Sequence, residues 1–425
     1  MNFPMQYLTA KEIRESFESV QFGRFRLGSK FQPIVSPVHR RVVGYEALAR
    51  PDVGGDPVSP GVLFDEAASL NTMPELDLVL WQSFLNKYAS IKPNSWLFLN
   101  LSAESVVARH PSPARLAALV RMAGLCCSRI VMEIVEEAVS DQESLEQFVQ
   151  GCRAEGFRTA IDDFGAGDAH FERVWRIRPD IVKMDRTMVV AAAENPRAAQ
   201  IMRSLIRMIR ENGSLVLIEG IETEAEAKVA WESDADLYQG FWFSVPSEQF
   251  EQGGEKAKEA LEGLRERLAC VRFQQEQELK DYLSNLRDAM LWACGELAVG
   301  RSLALASCAL FSDARAQRCY LLDESGVQIG ETICPMNPDQ TLNPDFNPLF
   351  EASGASWAQR DYFTNALESP GVVCLSRPYV GLPDTVRTVT ASCMVRTAIG
   401  VRVLCADLHP ETAFPNIDCV LPAHI

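Results

Sequence analysis

Between about residues 30 and 245 the chain repeats one arrangement without repeating a sequence: a short apolar run closes on a polar residue, and a longer amphipathic stretch follows. The runs are FQPIV, RVVGYEAL, NSWLFLNLS, SRIVMEIVEE, RTAIDDFG, DIVKMD, SLVLIEG and LYQGFWF. Continuous apolar runs of this length suit strands buried on both faces, and alternation with helical stretches gives βα units around a largely parallel sheet. Eight such runs predict an α/β fold, a TIM-type (β/α)8 barrel in preference to an open sheet. Only SPVHR, residues 36–40, separates the first two runs, which leaves no room for a crossover helix. Strand one is therefore expected to run antiparallel to strand two.

Helix signals agree with this division. Ser59 followed by Pro60 is a start signal for the stretch SPGVLFDEAASL, and AAQIMRSLIRMIRENG closes at Gly213. After residue 250 the character changes. Leu261, Leu264, Leu268 and Val271, then Leu279, Leu283, Leu286 and Met290, recur at helical spacing, with Gln275 interrupting the stripe. That spacing predicts a long connector or dimer helix. Beyond it, RCYLLDESGVQIGET reads as a hairpin turning at Glu324, Ser325 and Gly326. GVVCLSRPYV, TVRTVTASCMV and IGVRVLCADL read as further strands. The expected organisation is a barrel over residues 1–255, a helical connector over 256–299 and a smaller α+β domain over 300–425.

A net charge of −16 argues against a polymeric nucleic acid as partner. No apolar run is long enough for a membrane span, and MNFPMQYLTAKEIRESFESV lacks a signal-peptide core, so a cytoplasmic chain is expected. The 12 cysteines form no zinc-type pairs and read as mostly buried thiols.

The informative polar residues stand where the apolar runs end. Glu46 closes strand two, Asn100 strand three, Glu133 strand four, Asp162 and Asp163 strand five, Lys183 strand six, Glu219 strand seven and Gln239 strand eight. Any one of them alone is an ordinary helix cap. In a barrel, however, the C-terminal strand ends converge on one mouth, and so many carboxylates there would repel one another without a cation. Oxygen-rich ligands suit Mg²⁺ or Mn²⁺, and neighbouring carboxylates can share two ions about 3.5–4 Å apart, which points to cleavage of a phosphodiester.

GYEALARP resembles the signature of the EAL-domain cyclic di-GMP phosphodiesterases, and the similarity continues in order through LNLS, MEIVEE, IDDFGAG, VKMD, IEGIETEAEA and YQGFWFSVP, over about residues 28 to 248. The resemblance implies metal-dependent hydrolysis of cyclic di-GMP to linear pGpG, two Mg²⁺ or Mn²⁺ ions, and a homodimer. It implies Glu46, Asn100, Glu133, Asp162 and Asp163 as metal ligands, and Glu219 as general base or metal partner. Lys183 would orient the water, with Gln239 near it. Gln32, Arg50, Glu46, Leu48, Asp163 and Pro246 would contact the dinucleotide, Arg50 at a phosphate. Glu136 would brace the loop after strand five, and Glu222 would support Glu219.

One segment departs from the family pattern. Active members usually carry a tyrosine and two serines where this chain has Asp168, Ala169 and His170. The complete set of matching ligands favours an enzyme; the altered turn leaves open a catalytically weak or inactive receptor that binds cyclic di-GMP and passes a signal on. The C-terminal stretch resembles the PAS or Cache class of sensor. That resemblance implies a pocket for a small ligand of unknown identity, with Trp357, Arg360, Tyr362, Tyr379 and Asp407 as its candidate residues and the long helix as the route of regulation.

Overall fold

The computed structural model describes residues 20–91, 94–135, 142–166, 171–335, 352–381, 387–409 and 425. The chain divides into two units, Met1–Leu268 and Ala269–Ile425.

The first unit is the barrel. Its strands are β1 (Phe25–Ser36), β2 (Arg41–Val53), β3 (Trp96–Leu101), β4 (Ile130–Val135), β5 (Arg158–Phe164), β6 (Ile181–Met184), β7 (Leu215–Ile218) and β8 (Leu237–Tyr238). They pair in the order β1-β8-β7-β6-β5-β4-β3-β2, and β2 returns to β1 to close the ring. β1 is antiparallel to both neighbours, with Gln32 opposite Glu46 and Val35 opposite Tyr238. From β2 round to β8 the pairs are parallel. The short turn after Ser36 causes the exception. Arg40 takes a left-handed conformation (φ 55°) and donates its N–H to Ser36 O, so the chain reverses at once.

Helix caps follow from the sequence. Ser59 accepts from Gly61 N–H at the start of Pro60–Ser69, and Asn195 accepts from Arg197 N–H at the start of Pro196–Glu211. Thr223 and Glu226 form a reciprocal capping box on Glu224–Glu232.

Two layers fill the barrel interior. The lower one is apolar: Ile34, Phe98, Val131, Ala160, Ile181, Leu217 and Leu237 are all buried together. β2 contributes Gly44 at this level, where a Cβ would stand 2.6 Å from Phe98 Cε2, so the missing side chain is the room the Phe98 ring occupies. Side chains alternate along a strand, so the residue two positions on faces inward again. Those residues are Glu46, Asn100, Glu133, Asp162, Lys183, Glu219 and Gln239. Because β1 runs the other way, its member of the polar layer comes two residues earlier, at Gln32. One apolar plug below and one polar ring above is the architecture that positions the site.

The second unit contains an antiparallel sheet: β9 (Ala316–Leu322), β10 (Gln328–Ile333), β11 (Cys374–Leu375), β12 (Tyr379–Val380), β13 (Arg387–Thr397) and β14 (Gly400–Leu408). The order is β10-β9-β14-β13-β11, with β12 on β13. The expected hairpin at Glu324–Gly326 joins β9 to β10. One face packs Cys319, Ala391, Cys393, Leu404 and Ala406 against Leu279, Leu283, Leu286 and Met290 of the helix Phe250–Ala298. On the other face Tyr320, Val403 and Cys405 meet Tyr362 and Phe363 of the helix Asp361–Glu368. Among the described residues no helix is long and apolar enough to cross a membrane.

Candidate active site

Lys183 stands at the centre of the polar ring. It is 1% exposed, and its Nζ lies 2.6 Å from Glu133 Oε1, 2.7 Å from Glu219 Oε1 and 2.9 Å from Asp162 Oδ1. Burial alone would strip this ammonium of its proton; Asp162, Glu133, Glu219 and Glu46 reverse the balance and hold its pKa well above the ordinary value. Burial pushes Glu133 far above the usual carboxylate range, Lys183 opposes this, and Glu46 and Asp162 add repulsion. Glu219 is raised for the same reasons.

Glu46 is the second hub. Its Oε1 accepts from Asn100 Nδ2 at 3.0 Å and its Oε2 from Gln239 Nε2 at 2.6 Å. The Gln239 amide also reaches Gln32 Oε1 at 3.2 Å, and Gln32 Nε2 donates to Ser244 O at 3.2 Å. Leu48 and Arg50 follow Glu46 on the same face of β2, toward the rim. Arg50 donates to Ala49 O, and burial lowers its pKa while Glu46 raises it. Pro246 lies on the segment that returns to β1, where Phe31 and Ser247 exchange backbone hydrogen bonds of 2.8 and 3.0 Å.

Adjacent aspartates on a regular strand would point to opposite faces. The pairing of β5 with β6 shifts register between Ile161 and Phe164, and Asp163 adopts a left-handed conformation (φ 57°). Aspartate tolerates that region better than most side chains, and here Asp163 N–H donates to Asp162 Oδ1 at 3.0 Å. The irregularity leaves both carboxylates at the mouth. Burial and the Asp162 charge push the Asp163 pKa up to about 6.

The loops after β7 and β8 interlock behind this ring. Ile221 N–H donates to Gln239 O, Trp242 N–H donates to Ile221 O, and a Cβ on Gly240 would stand 2.0 Å from Ile221 O. Gly240→Ala is therefore expected to separate the two loops that carry Glu219 and Gln239, at a cost of about 1–3 kcal/mol in stability. Thermal unfolding and turnover of the purified variant check this; a wild-type value in both would contradict it. Glu222 pairs with Arg186 beside Glu219. Glu136, Asp168, Ala169 and His170 lie outside the described residues.

In the second unit Asp407 meets Arg318 and not Arg360. Arg318 Nε donates to Asp407 Oδ2 at 2.6 Å, and Thr390 Oγ1 donates to Asp407 Oδ1 at 2.7 Å. Tyr362 and Tyr379 stack with centroids 6.2 Å apart, Trp357 lies 6.4 Å from Tyr320, and Arg360 sits over the Tyr379 ring. Sequence reasoning missed Arg318, Tyr320 and Thr390. Their signal was alternation along β9 and β13, which sets them on the same face as Asp407.

The polar ring fits divalent ions on two observations. Five carboxylates (Glu46, Glu133, Asp162, Asp163 and Glu219) face one ammonium and one guanidinium. Glu133 Oε2 is buried and has no hydrogen-bond partner among the described residues. Among those residues no three carboxylates, thiols or imidazoles enclose a cation by themselves; Lys183 and the Asn100 and Gln239 amides stand between them.

A model of the EAL domain matches residues 12–246. The EAL-domain containing protein YkuI of Bacillus subtilis is 23% identical over 346 residues, covering 78% of this chain and 82% of YkuI. Cyclic di-GMP phosphodiesterase RocR of Pseudomonas aeruginosa is 27% identical over 228 residues, 51% of this chain and 56% of RocR. Probable cyclic di-GMP phosphodiesterase PdeA of Escherichia coli is 28% identical over 208 residues, 48% of this chain and 28% of PdeA. The matches therefore span little more than half of RocR and under a third of PdeA. The crystal structure of B. subtilis YkuI in complex with cyclic di-GMP and calcium has a TM-score of 0.68 at 20% identity, and covers 95% of this chain and 99% of that one. That likeness establishes a shared fold.

Proposed function

The chain belongs to the EAL-domain family, and from that premise we propose that it hydrolyses cyclic di-GMP to linear pGpG with Mg²⁺ or Mn²⁺. The observation that carries this is the polar ring itself: every inward strand-end position of the barrel holds a carboxylate, a carboxamide or Lys183, and Glu133 keeps a buried oxygen with no hydrogen-bond partner among the described residues. Glu46, Asn100, Glu133, Asp162 and Asp163 would hold the ions. When bound, two divalent ions would acidify a water and neutralise charge on the phosphodiester oxygens.

The chain's own groups supply the rest. Arg50, at the rim, is placed to take a phosphate oxygen as a forked donor. Gln32 and Gln239 orient each other and Glu46, and Gln32 offers its amide to the dinucleotide. Lys183 keeps Glu133, Asp162 and Glu219 together against their repulsion, and through these three carboxylates, which take up its three donors, it would set where the attacking water stands. Glu219, the most exposed of the three carboxylates around Lys183, is the group placed to take that water's proton. The second unit is proposed to hold a small ligand near Trp357, Arg360, Tyr362, Tyr379 and Asp407. The helix Phe250–Ala298 would relay that binding, and the chain would work as a homodimer.

The test is product analysis. Purified protein with cyclic di-GMP and Mn²⁺ should yield pGpG on chromatography, and a chelator should stop it. Tight dinucleotide binding with no pGpG under any metal would replace the enzyme with a receptor.

A further inference from the structure

The helix Met73–Ile91 holds the end of β3 at two points that the proposed chemistry does not use. Trp81 donates its indole N–H to the Asn100 carbonyl at 3.0 Å. One turn earlier on the same helix, Asp77 Oδ2 accepts three hydrogen bonds: from Ser102 N–H at 3.0 Å, from the Ser102 hydroxyl at 2.6 Å and from the Ser105 hydroxyl at 2.6 Å. Residues four apart on a helix share a face, so Asp77 and Trp81 reach the same strand end together.

Asp77 is 4% exposed, and a buried carboxylate is expensive unless its partners are fixed. Helix capping does not account for it. Ser102 caps the helix Ala103–Ala108 with its own oxygen, which accepts from Ser105 N–H. The two anchors instead bracket Asn100: one grips its carbonyl, the other grips the N–H two residues on. Strand pairing alone would leave this stretch loose on one side. The last pair between β2 and β3 is Glu46 with Phe98, two residues before Asn100, while the ladder to β4 continues to Leu101. With carbonyl 100 and N–H 102 both tied to one rigid helix, the backbone angles of Asn100 and Leu101 are set. The Asn100 carboxamide is thereby aimed at Glu46, 3.0 Å away.

We infer that Asp77, acting through Ser102, and Trp81 are positioning residues for Asn100: they touch neither substrate nor ion, and they fix the direction of a carboxamide at the mouth. The inference rests on Asn100 serving as an ion ligand. Partners of this kind behind a metal ligand are worth roughly tenfold or more in metal affinity.

The test is calorimetric titration of the full chain with Mn²⁺ in the absence of dinucleotide, beside thermal unfolding of the same samples. Asp77→Asn keeps the side-chain volume and loses the charge that orders the two serines; Trp81→Phe removes the indole donor together with part of a buried ring, and the melting temperature reads the packing loss separately. Each is expected to weaken Mn²⁺ binding roughly tenfold. In an Asn100→Ala background the same substitutions are expected to change Mn²⁺ affinity by less than about twofold, while any loss of melting temperature persists, because affinity passes through Asn100 and stability does not. Equal weakening in both backgrounds, or no weakening in either, overturns the inference. Should Asp77→Asn not fold, Ser105→Ala and Trp81→Phe carry the same comparison. Wild-type protein that takes up no Mn²⁺ overturns the metal reading and this inference with it; wild-type uptake matched by Asp77→Asn overturns this inference alone.

Discussion

Lys183→Met is expected to lose about 3–5 kcal/mol of folding stability at neutral pH, the usual consequence of leaving buried charges without their partner. Three carboxylates share this one ammonium within 2.9 Å, and methionine fills the space without replacing the charge. The pH dependence has a definite sign. Burial holds Glu133 and Glu219 well above the usual carboxylate range even with the lysine present, and the lysine is the chief influence pulling them down. Without it their folded pKa values rise further. A carboxyl whose pKa is raised on folding contributes stability below its unfolded value, near 4.5, and that contribution is lost as pH climbs toward the folded value. The deficit of the variant should therefore be small at pH 5 and large at pH 8. Urea midpoints at those two pH values, in chelator, decide it. A deficit equal at both, or larger at pH 5, would mean that the three carboxylates do not depend on Lys183. Hydrolysis should vanish at either pH, since the carboxylates proposed to hold the ions would be pushed apart or protonated.

Much of this site is legible in the sequence because a barrel turns a one-dimensional rule into a ring. An apolar residue in the plug is followed two positions later by a polar residue at the mouth, as in Phe98 and Asn100, Val131 and Glu133, Ile181 and Lys183. Anything that obeys the alternation can be found by reading strand ends. The antiparallel β1 follows from a turn too short for a helix, and Gln32 then falls opposite Glu46. What escapes such reading is contact between elements distant in sequence. A strand-end reading looks for the balancing cation in bound metal, and the family resemblance makes Lys183 a water-orienting group; nothing local shows that it reaches three carboxylates at once. Asp77, in ELDLVLWQ, looks like the solvated face of an amphipathic helix; only the fold turns it toward Ser102. In the second unit the aromatic residues stand out in sequence, whereas the cationic partner of Asp407, Arg318, lies 89 residues away on another strand. The double aspartate is an intermediate case. Its position is readable, but that both side chains reach the mouth depends on the left-handed Asp163 backbone, which no residue pattern prescribes.

Glu46→Ala is expected to lower hydrolysis at least about a thousandfold, the scale on which a group acting in the transition state is lost, while the barrel stays folded. The two halves of that expectation have separate grounds. Glu46 is the point where two systems meet: Asn100 donates to one oxygen and Gln239 to the other, and Gln239 in turn holds Gln32. Removing the carboxylate frees a ligand position and releases both amides. The fold, in contrast, is secured below the mouth by the plug of Ile34, Phe98, Val131, Ala160, Ile181, Leu217 and Leu237, none of which depends on Glu46. Glu46→Gln separates charge from shape. It preserves volume, yet a carboxamide cannot accept at both positions from two amide donors, so one of the contacts to Asn100 or Gln239 must break. If the anionic charge is what the reaction uses, Glu46→Gln should be as inactive as Glu46→Ala and recover nothing with excess Mn²⁺. If Glu46 serves mainly to order Asn100 and Gln239, the glutamine should restore part of the turnover and excess metal should restore more. Substantial hydrolysis by Glu46→Ala, with an unchanged melting temperature, would remove Glu46 from the ion-binding set and with it the arrangement of ligands proposed here.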